Sequence, residues 1–433
     1  MRRDNGIILG EDLTLNTDTR VTGLNNNVLV VGSTGFHKTR GVVMPNLAQM
    51  NSSYIITDPK GDLLKQFGNL FLENGYKVKV LDMINGKNSM HYNPFLYFRN
   101  NTDLEKLAHN IAHTVKSERD PYWHIAGEKM IKAALAYVNY FEENKSLAQV
   151  SYLVNGGVNN SRLAEARKRA VAEMAFKEEV SFESFENEKY VMRCIDEAMT
   201  VSGVSTTNSC IISTAINALH PYSNETAREI NNGEDEMNLH DIPEEKTALF
   251  VTLSDTDSTM YSFANLFFTQ CFDTLFDDAR KYPGNTLPYP VTFVMDDFFS
   301  ICDIPDFPRI ISNCRSRNIR MMIIAQNEAQ IEARYAKEAS TVISNCATYI
   351  FTGCNDLEMA LRISRRTNLP ADEILSMPQS KQWVFVSGRQ PYYINKFDIR
   401  KHPNYRRIND SNRYFDNAAF LNQIRGKVTE MVR

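Results

Sequence analysis

Residues 28–39 run from an all-apolar stretch, Val28-Leu29-Val30-Val31, straight into Gly32-Ser33-Thr34-Gly35-Phe36-His37-Lys38-Thr39. A turn of this make-up between a strand and a helix-like stretch is the pattern of a phosphate-cradling P-loop. Glycines let the backbone turn its N–H groups inward, a lysine reaches the β- and γ-phosphates, and a hydroxyl is placed for Mg²⁺. Gly32, Gly35, Lys38 and Thr39 stand where that pattern wants them. His37 stands where a glycine normally precedes the lysine, and it needs a backbone it can tolerate and an imidazole turned away from the phosphates. The competing reading is a plain strand–turn–helix with an incidental Lys-Thr pair. The strand before it favours the loop, so Gly32, Ser33, Thr34, Gly35, Phe36, His37, Lys38 and Thr39 are the candidate nucleotide-binding residues.

The surrounding chain fits such a loop. Tyr54 to Thr57 is a second apolar run, closed by Asp58-Pro59-Lys60-Gly61. Leu63, Leu64, Phe67, Leu70 and Phe71 then share one helical face up to Gly75, and Val78 to Leu81 is a third run. Strand and helix in alternation, with strands of the fully buried type, imply a parallel, doubly wound α/β sheet. From about Asp103 to His220 the texture is helical, with stripes such as Leu104, Leu107, Ala108 and Ile111, and a charged helix around Arg162 to Lys177. Strand signals resume at Ala248 to Leu253 and recur at Val291 to Met295, Arg320 to Ala325, Thr348 to Phe351 and Trp383 to Val386. A helical block that interrupts an α/β pattern reads as an inserted domain. The tail after Arg400 is polar and basic-leaning, as expected of a peripheral helix or a partly mobile end.

A second chemical signal closes the strand at 291–295, where Asp296 and Asp297 follow an apolar run. In P-loop motors the first such acid holds Mg²⁺ through water and the second polarises the attacking water. The second is commonly Glu, so Asp297 is one methylene short. Alone, two acids after a strand are as well explained by a turn. Behind a P-loop, in this order, they read as the metal-side pair, with Thr39 and Asp296 as candidate metal residues. Gln326 ends the strand at 320–325, and a polar group there faces the ligand crevice of an open α/β sheet. It is a candidate γ-phosphate sensor or water-orienting residue, with a strand-end hydrogen bonder as the alternative. Arg315 and Arg317 are candidate arginine fingers toward a neighbouring subunit's nucleotide, with surface ion pairing as the alternative.

The 433 residues, 43% hydrophobic and 23% charged, suit a globular protein of up to three domains. A formal charge of −4 shows no global footprint for nucleic acid, so DNA contact would need a local basic surface. No run approaches the ~18 apolar residues of a membrane span. The seven cysteines form no Cys-x-x-Cys pair and sit mostly in apolar surroundings, as reduced buried thiols do. His109 and His113 share a helical face, but Asn110 follows His109, so the metalloprotease pattern is absent.

Taken together, these blocks resemble the conjugative type IV coupling proteins, TraG-like relatives of the hexameric DNA-pumping ATPases. The similarity covers most of the chain. It runs through Val30 to Gly35 with Lys38-Thr39, Pro45-Asn46-Leu47, Thr57-Asp58-Pro59-Lys60-Gly61-Asp62-Leu63 and Tyr92-Asn93-Pro94-Phe95. It continues through Asp120-Pro121-Tyr122-Trp123, Met295 to Phe298, Ile304 to Phe307, Arg315 to Ile319, Ile324 to Asn327 and Gln330-Ile331-Glu332. The resemblance implies a RecA-like P-loop motor domain with a mainly parallel sheet, at residues 1–98 and 241–400, and an inserted all-helical domain at 99–240, with a tail at 401–433. It also implies ATP and Mg²⁺ as cofactors, with Asp297, Gln326, Arg315 and Arg317 in hydrolysis. Implied partners are DNA bound without sequence preference, a relaxase in its relaxosome, components of the type IV secretion channel, and five further copies in a homo-hexamer. The protein is expected to be cytoplasmic and recruited by partners to the inner face of the cell membrane. His37 and Asp297 depart from the family pattern and bear on hydrolysis more than on binding. The transmembrane pair common at the N-terminus in that family has no counterpart, which fits attachment through a partner, a soluble lineage or a shortened form. A nucleotide-regulated adaptor with little or no hydrolysis is the alternative function.

Overall fold

Strands that are apolar on both faces are stable only when helices cover both sides, and this chain arranges them so. The computed structural model describes residues 6–113, 122–156, 161–176, 181–200 and 205–431. Asp120 and Pro121 of the resemblance, and the first five residues, lie outside them. The chain divides into two compact units. One comprises residues 1–82, 239–258 and 271–433, and the other 83–238 and 259–270.

The first unit holds the sheets. The strands in chain order are β1 (Gly6–Ile8), β2 (Thr14–Asn16), β3 (Val28–Val31), β4 (Ser53–Thr57), β5 (Lys77–Asp82) and β6 (Thr247–Thr252), followed by β7 (Val291–Met295), β8 (Ile319–Ala325), β9 (Thr348–Phe351), β10 (Lys381–Val386) and β11 (Tyr392–Asn395). β1 and β2 form a separate antiparallel hairpin. The other nine make one sheet in the order β11-β10-β9-β3-β8-β7-β4-β6-β5. Pairing is parallel from β9 through β5. β10 and β11 add an antiparallel edge. Every residue of β3, β4, β6, β7 and β9 is buried. One face packs on helix Asp62–Glu73, which buries Leu63, Leu64, Phe67, Leu70 and Phe71. The chain end docks on the same helix. Ile408 is buried, the Phe415 ring lies against Gly68, and Arg407 and Arg413 both pair with Glu73. The strand pattern and this helical cover make the chain an α/β protein with a mainly parallel sheet.

The second unit is helical. Its centre is helix Tyr122–Phe141, buried nearly all round through Ala126, Met130, Ala133, Ala134 and Val138. Gly127 lets helix Ser205–Ser223 come close at Ala215. Helices Asn101–Ala112, Leu147–Val154 and Phe182–Thr200 complete the bundle. Asn100 and Ser146 start two of them by accepting from backbone N–H groups of the first turn. The first turns of helix Tyr261–Arg280 belong to this unit, with the Phe263 and Phe267 rings set edge-on against buried Tyr92. No helix among the described residues is long and apolar enough to cross a membrane.

Candidate functional site

The loop 32–39 leaves the carboxyl end of β3, and its shape follows from three close backbone passages. Gly32 is wedged against the turn after β9: a Cβ there would sit 2.0 Å from Thr352 Oγ1 and 2.9 Å from Gly353 O. Ser33 N–H donates to Gly353 O at 3.0 Å, and Ser33 Oγ accepts from Asn355 N–H at 3.2 Å. The Phe36 ring is buried over Gly353, so Phe36 offers a ligand only its backbone. Gly35 (φ 89°) and His37 (φ 57°) are both left-handed. Thr34, Gly35 and His37 are exposed. His37 thus keeps a backbone that glycine adopts freely, with its imidazole in solvent.

Lys38 is nearly buried and folds back on the loop, donating to Gly32 O at 2.6 Å and Ser33 O at 3.3 Å. Burial pulls its ammonium pKa down, while the carboxylates of Asp297 and Asp296 act to hold it up. Thr39 opens a wide π turn, Thr39–Val43, that continues into helix Met44–Leu47. Such turns are frequent at functional sites. Thr39 Oγ1 donates to Asp296 Oδ2 at 2.8 Å, joining positions 257 residues apart.

Asp296 follows β7, with β8 lying between it and β3. Thr57 Oγ1, at the end of β4, donates to the Asp296 backbone carbonyl at 2.8 Å. Burial pushes the Asp296 carboxyl up to about 6 despite the Thr39 hydroxyl bond. Asp297 has a left-handed backbone (φ 49°) and is half-buried. Gln326, at the end of β8, places Nε2 3.5 Å from Asp297 Oδ1. Lys38, Thr39, Asp296, Asp297 and Gln326 therefore meet at the carboxyl ends of three adjacent strands, the place where open α/β sheets take ligands. A hydroxyl and a carboxylate already in contact, a lysine beside a loop with two left-handed residues and an exposed rim make a donor set that fits Mg²⁺ and a polyphosphate. Arg315 and Arg317 are not part of this cluster. They precede β8, at the opposite edge of the sheet, about 23 Å away at the usual rise per residue. Arg315 is exposed. Arg317 donates to Asn313 O and lies over the Phe276 ring at 4.5 Å.

The sequence profile of the family described as type IV secretory system conjugative DNA transfer matches residues 2–368. The chain belongs to that family. No curated protein matches it. Among solved structures, the bacterial conjugative coupling protein TrwBdeltaN70 in its unbound monoclinic form superimposes with a TM-score of 0.64 at 14% identity, over 90% of this chain and 88% of that one. The plasmid coupling protein TrwB in complex with the ATP analogue ADPNP gives 0.62 at 15%, over 86% and 85%. At that identity the likeness shows a shared fold.

Two groups in this conjugative DNA-transfer protein escaped the sequence reading. Lys396 follows β11 and donates to Phe36 O at 2.9 Å and Thr352 O at 2.8 Å, clamping the loop to the turn after β9. Burial, with Lys38 nearby, lowers its pKa to about 8. No motif surrounds it, and only the fold brings it to residue 36. Thr57 was read as the end of a strand, with no sign that it braces Asp296. Asp58 and Asp62 are two further carboxylates in the segment after β4. Asp58 is buried, accepts from Leu64 N–H at 2.7 Å and is raised to about 6 by burial. Asp62 is exposed at the start of its helix.

Proposed function

We propose that this protein is the nucleotide-driven coupling component of a conjugative type IV secretion system, binding ATP with Mg²⁺ and using its hydrolysis to move DNA. The observation that carries this reading is the Thr39–Asp296 bond beside Lys38, a hydroxyl, a carboxylate and an ammonium gathered on a P-loop. One relative in fold supports the ligand: solved structures of TrwB hold ADPNP, and ADP with Mg²⁺.

In this reading the loop N–H groups and Lys38 hold the phosphates, while Thr39 and Asp296 hold Mg²⁺, which neutralises charge on the phosphoryl oxygens. Asp297 takes a proton from the attacking water, and Gln326, beside it, orients that water. Arg315, exposed at the far edge of the sheet, and Arg317 serve a neighbouring copy's nucleotide in a hexameric ring with DNA in its channel. The sheet portion, residues 1–98 and 241–400 with the tail at 401–433, is the motor. The helical portion, 99–240, receives the relaxase and relaxosome proteins, and the ring docks on channel components at the cytoplasmic face of the membrane. Steady-state ATP hydrolysis with and without single- and double-stranded DNA tests this. DNA-stimulated turnover supports the motor. Tight ATP binding with no turnover, even with DNA and an assembled ring, would replace it by the nucleotide-regulated adaptor.

A further inference from the structure

Helix Asn101–Ala112 carries His109 in its last turn, with His113 just beyond, so both imidazoles leave one face. Their rings stack with centroids 4.0 Å apart. Helix Tyr122–Phe141 brings Glu128 against them, with Oε2 3.2 Å from His109 Nδ1 and 3.8 Å from His113 Nδ1. One ligand atom from each of these three residues lies within 4.8 Å of the others. His124, one turn before Glu128, stacks on His113 at 5.9 Å.

The ring orientations add an independent observation. His113 Nδ1 lies 2.9 Å from His109 O, and His124 Nδ1 lies 3.1 Å from Ala112 O. A carbonyl oxygen only accepts, so each Nδ1 carries a hydrogen and, in the neutral ring, leaves the Nε2 lone pair available. A backbone carbonyl holding one ring nitrogen while the other binds an ion is the usual outer support of a metal-bound histidine. The His109, His113 and Glu128 side chains are 58%, 43% and 29% exposed, which gives an ion access.

We propose that His109, His113 and Glu128 form a binding site for a divalent cation of the Zn²⁺ class on the helical unit. Two imidazoles and one carboxylate suit a borderline cation and are a poor set for Mg²⁺, which prefers oxygen ligands. The site is therefore separate from the one at Thr39 and Asp296 and does not rest on the nucleotide reading. Its role is structural: it clips the end of helix Asn101–Ala112 to the start of helix Tyr122–Phe141, with water completing the coordination. An exposed histidine–carboxylate pair alone would explain the contacts to Glu128 but gives little stability, and it gives the carbonyl-held His113 ring no role.

The test uses the full chain, stripped with a chelator and titrated with Zn²⁺ by calorimetry and with Co²⁺ by visible absorption, in excess Mg²⁺. One Zn²⁺ binds per chain at micromolar or tighter dissociation constant, Co²⁺ shows tetrahedral absorption that Zn²⁺ displaces, and the thermal midpoint rises. His109→Ala, His113→Ala and Glu128→Gln each weaken binding at least about tenfold, and His220→Ala leaves it unchanged. His109→Gln, which keeps length and polarity, gives the same loss should an alanine variant misfold. Folded wild type that takes up no Zn²⁺ at about 100 µM, or equal affinity in His109→Gln, overturns the proposal.

Discussion

His37 and Asp297 hold left-handed backbones at φ 57° and 49°. Apart from glycine, Asn, Asp and His are the residues most often found there. Both departures from the family pattern thus suit the conformations they occupy. Glutamate suits that backbone less well, so Asp297→Glu is expected to cost about 1 kcal/mol of local strain and to lower ATP turnover. Asp297→Asn keeps backbone preference and shape while removing the base, so turnover is lost and ATP affinity is retained. Turnover assays with equilibrium binding check both, and equal rates in wild type and Asp297→Asn would remove Asp297 from the chemistry. Lys38→Ala deletes a charged hydrogen-bond donor worth roughly 1.5–3 kcal/mol and should weaken ATP binding about tenfold or more by calorimetry. Lys396 yields a pH prediction. Its folded pKa, about 8, lies below the free lysine value, so the folded chain binds fewer protons between those values. The burial of its charge therefore weakens the fold at neutral pH, and that cost fades as pH rises through about 8. A polyphosphate beside it favours the charged form, so ATP binding near pH 8 takes up a proton. Calorimetry in buffers of different ionisation enthalpy shows that uptake, and Lys396→Met abolishes it.

Among elements, the interior strands were legible because β3, β4, β6, β7, β8 and β9 are largely apolar runs, with Gly, Pro, Asp or Asn at one or both ends of β3, β4, β7 and β8. β1 and β2 were not, being three residues each with polar positions among them. β11 alternates half-buried and exposed residues at the sheet edge, which leaves little hydrophobic signal. The loop and the two acids were legible for a related reason, since each is a local string attached to a strand end. Lys396 and Thr57 join the site through pairings distant in sequence, and local composition is silent about those. The same holds for Glu128, whose contact with His109 and His113 exists only between two helices. The junction of β3 with its loop gives a sharper test of packing. Gly32→Ala drives a Cβ into Thr352 Oγ1 and the Gly353 carbonyl. It should cost about 1–3 kcal/mol in urea unfolding and abolish nucleotide binding. Gly35→Ala meets open space and bears only the strain of its positive φ, about 1–2 kcal/mol. Nucleotide binding retained in Gly32→Ala would refute the close passage at Gly32.

For the whole molecule, the division into units shapes how a deletion must be made. Replacing residues 83–238 with a short linker removes Tyr92, against which Phe263 and Phe267 pack. The shortened protein is expected to precipitate unless both phenylalanines are also changed to serine. So repaired, it should bind ATP as wild type does and lose its relaxosome partner. A soluble, folded deletion without ATP binding would assign the helical unit a part in the nucleotide site. DNA affinity offers a second check, because contacts on a chain of net charge −4 must be local. Duplex binding should fall with salt at a log–log slope of about −0.9 per phosphate contacted. No binding at low salt, in every nucleotide and oligomeric state, would end the motor reading. The strand order has one more consequence. β3 carries the phosphate loop, yet its neighbours are β8 and β9, encoded near the other end of the chain. At about 5–20 residues per second, a ribosome needs roughly 15 s to a minute to travel from β3 to β8. Throughout that interval Val28-Leu29-Val30-Val31 is an apolar segment without its sheet neighbours, a ready client for chaperones, and a translation product interrupted before β8 lacks both strands that flank the loop's own.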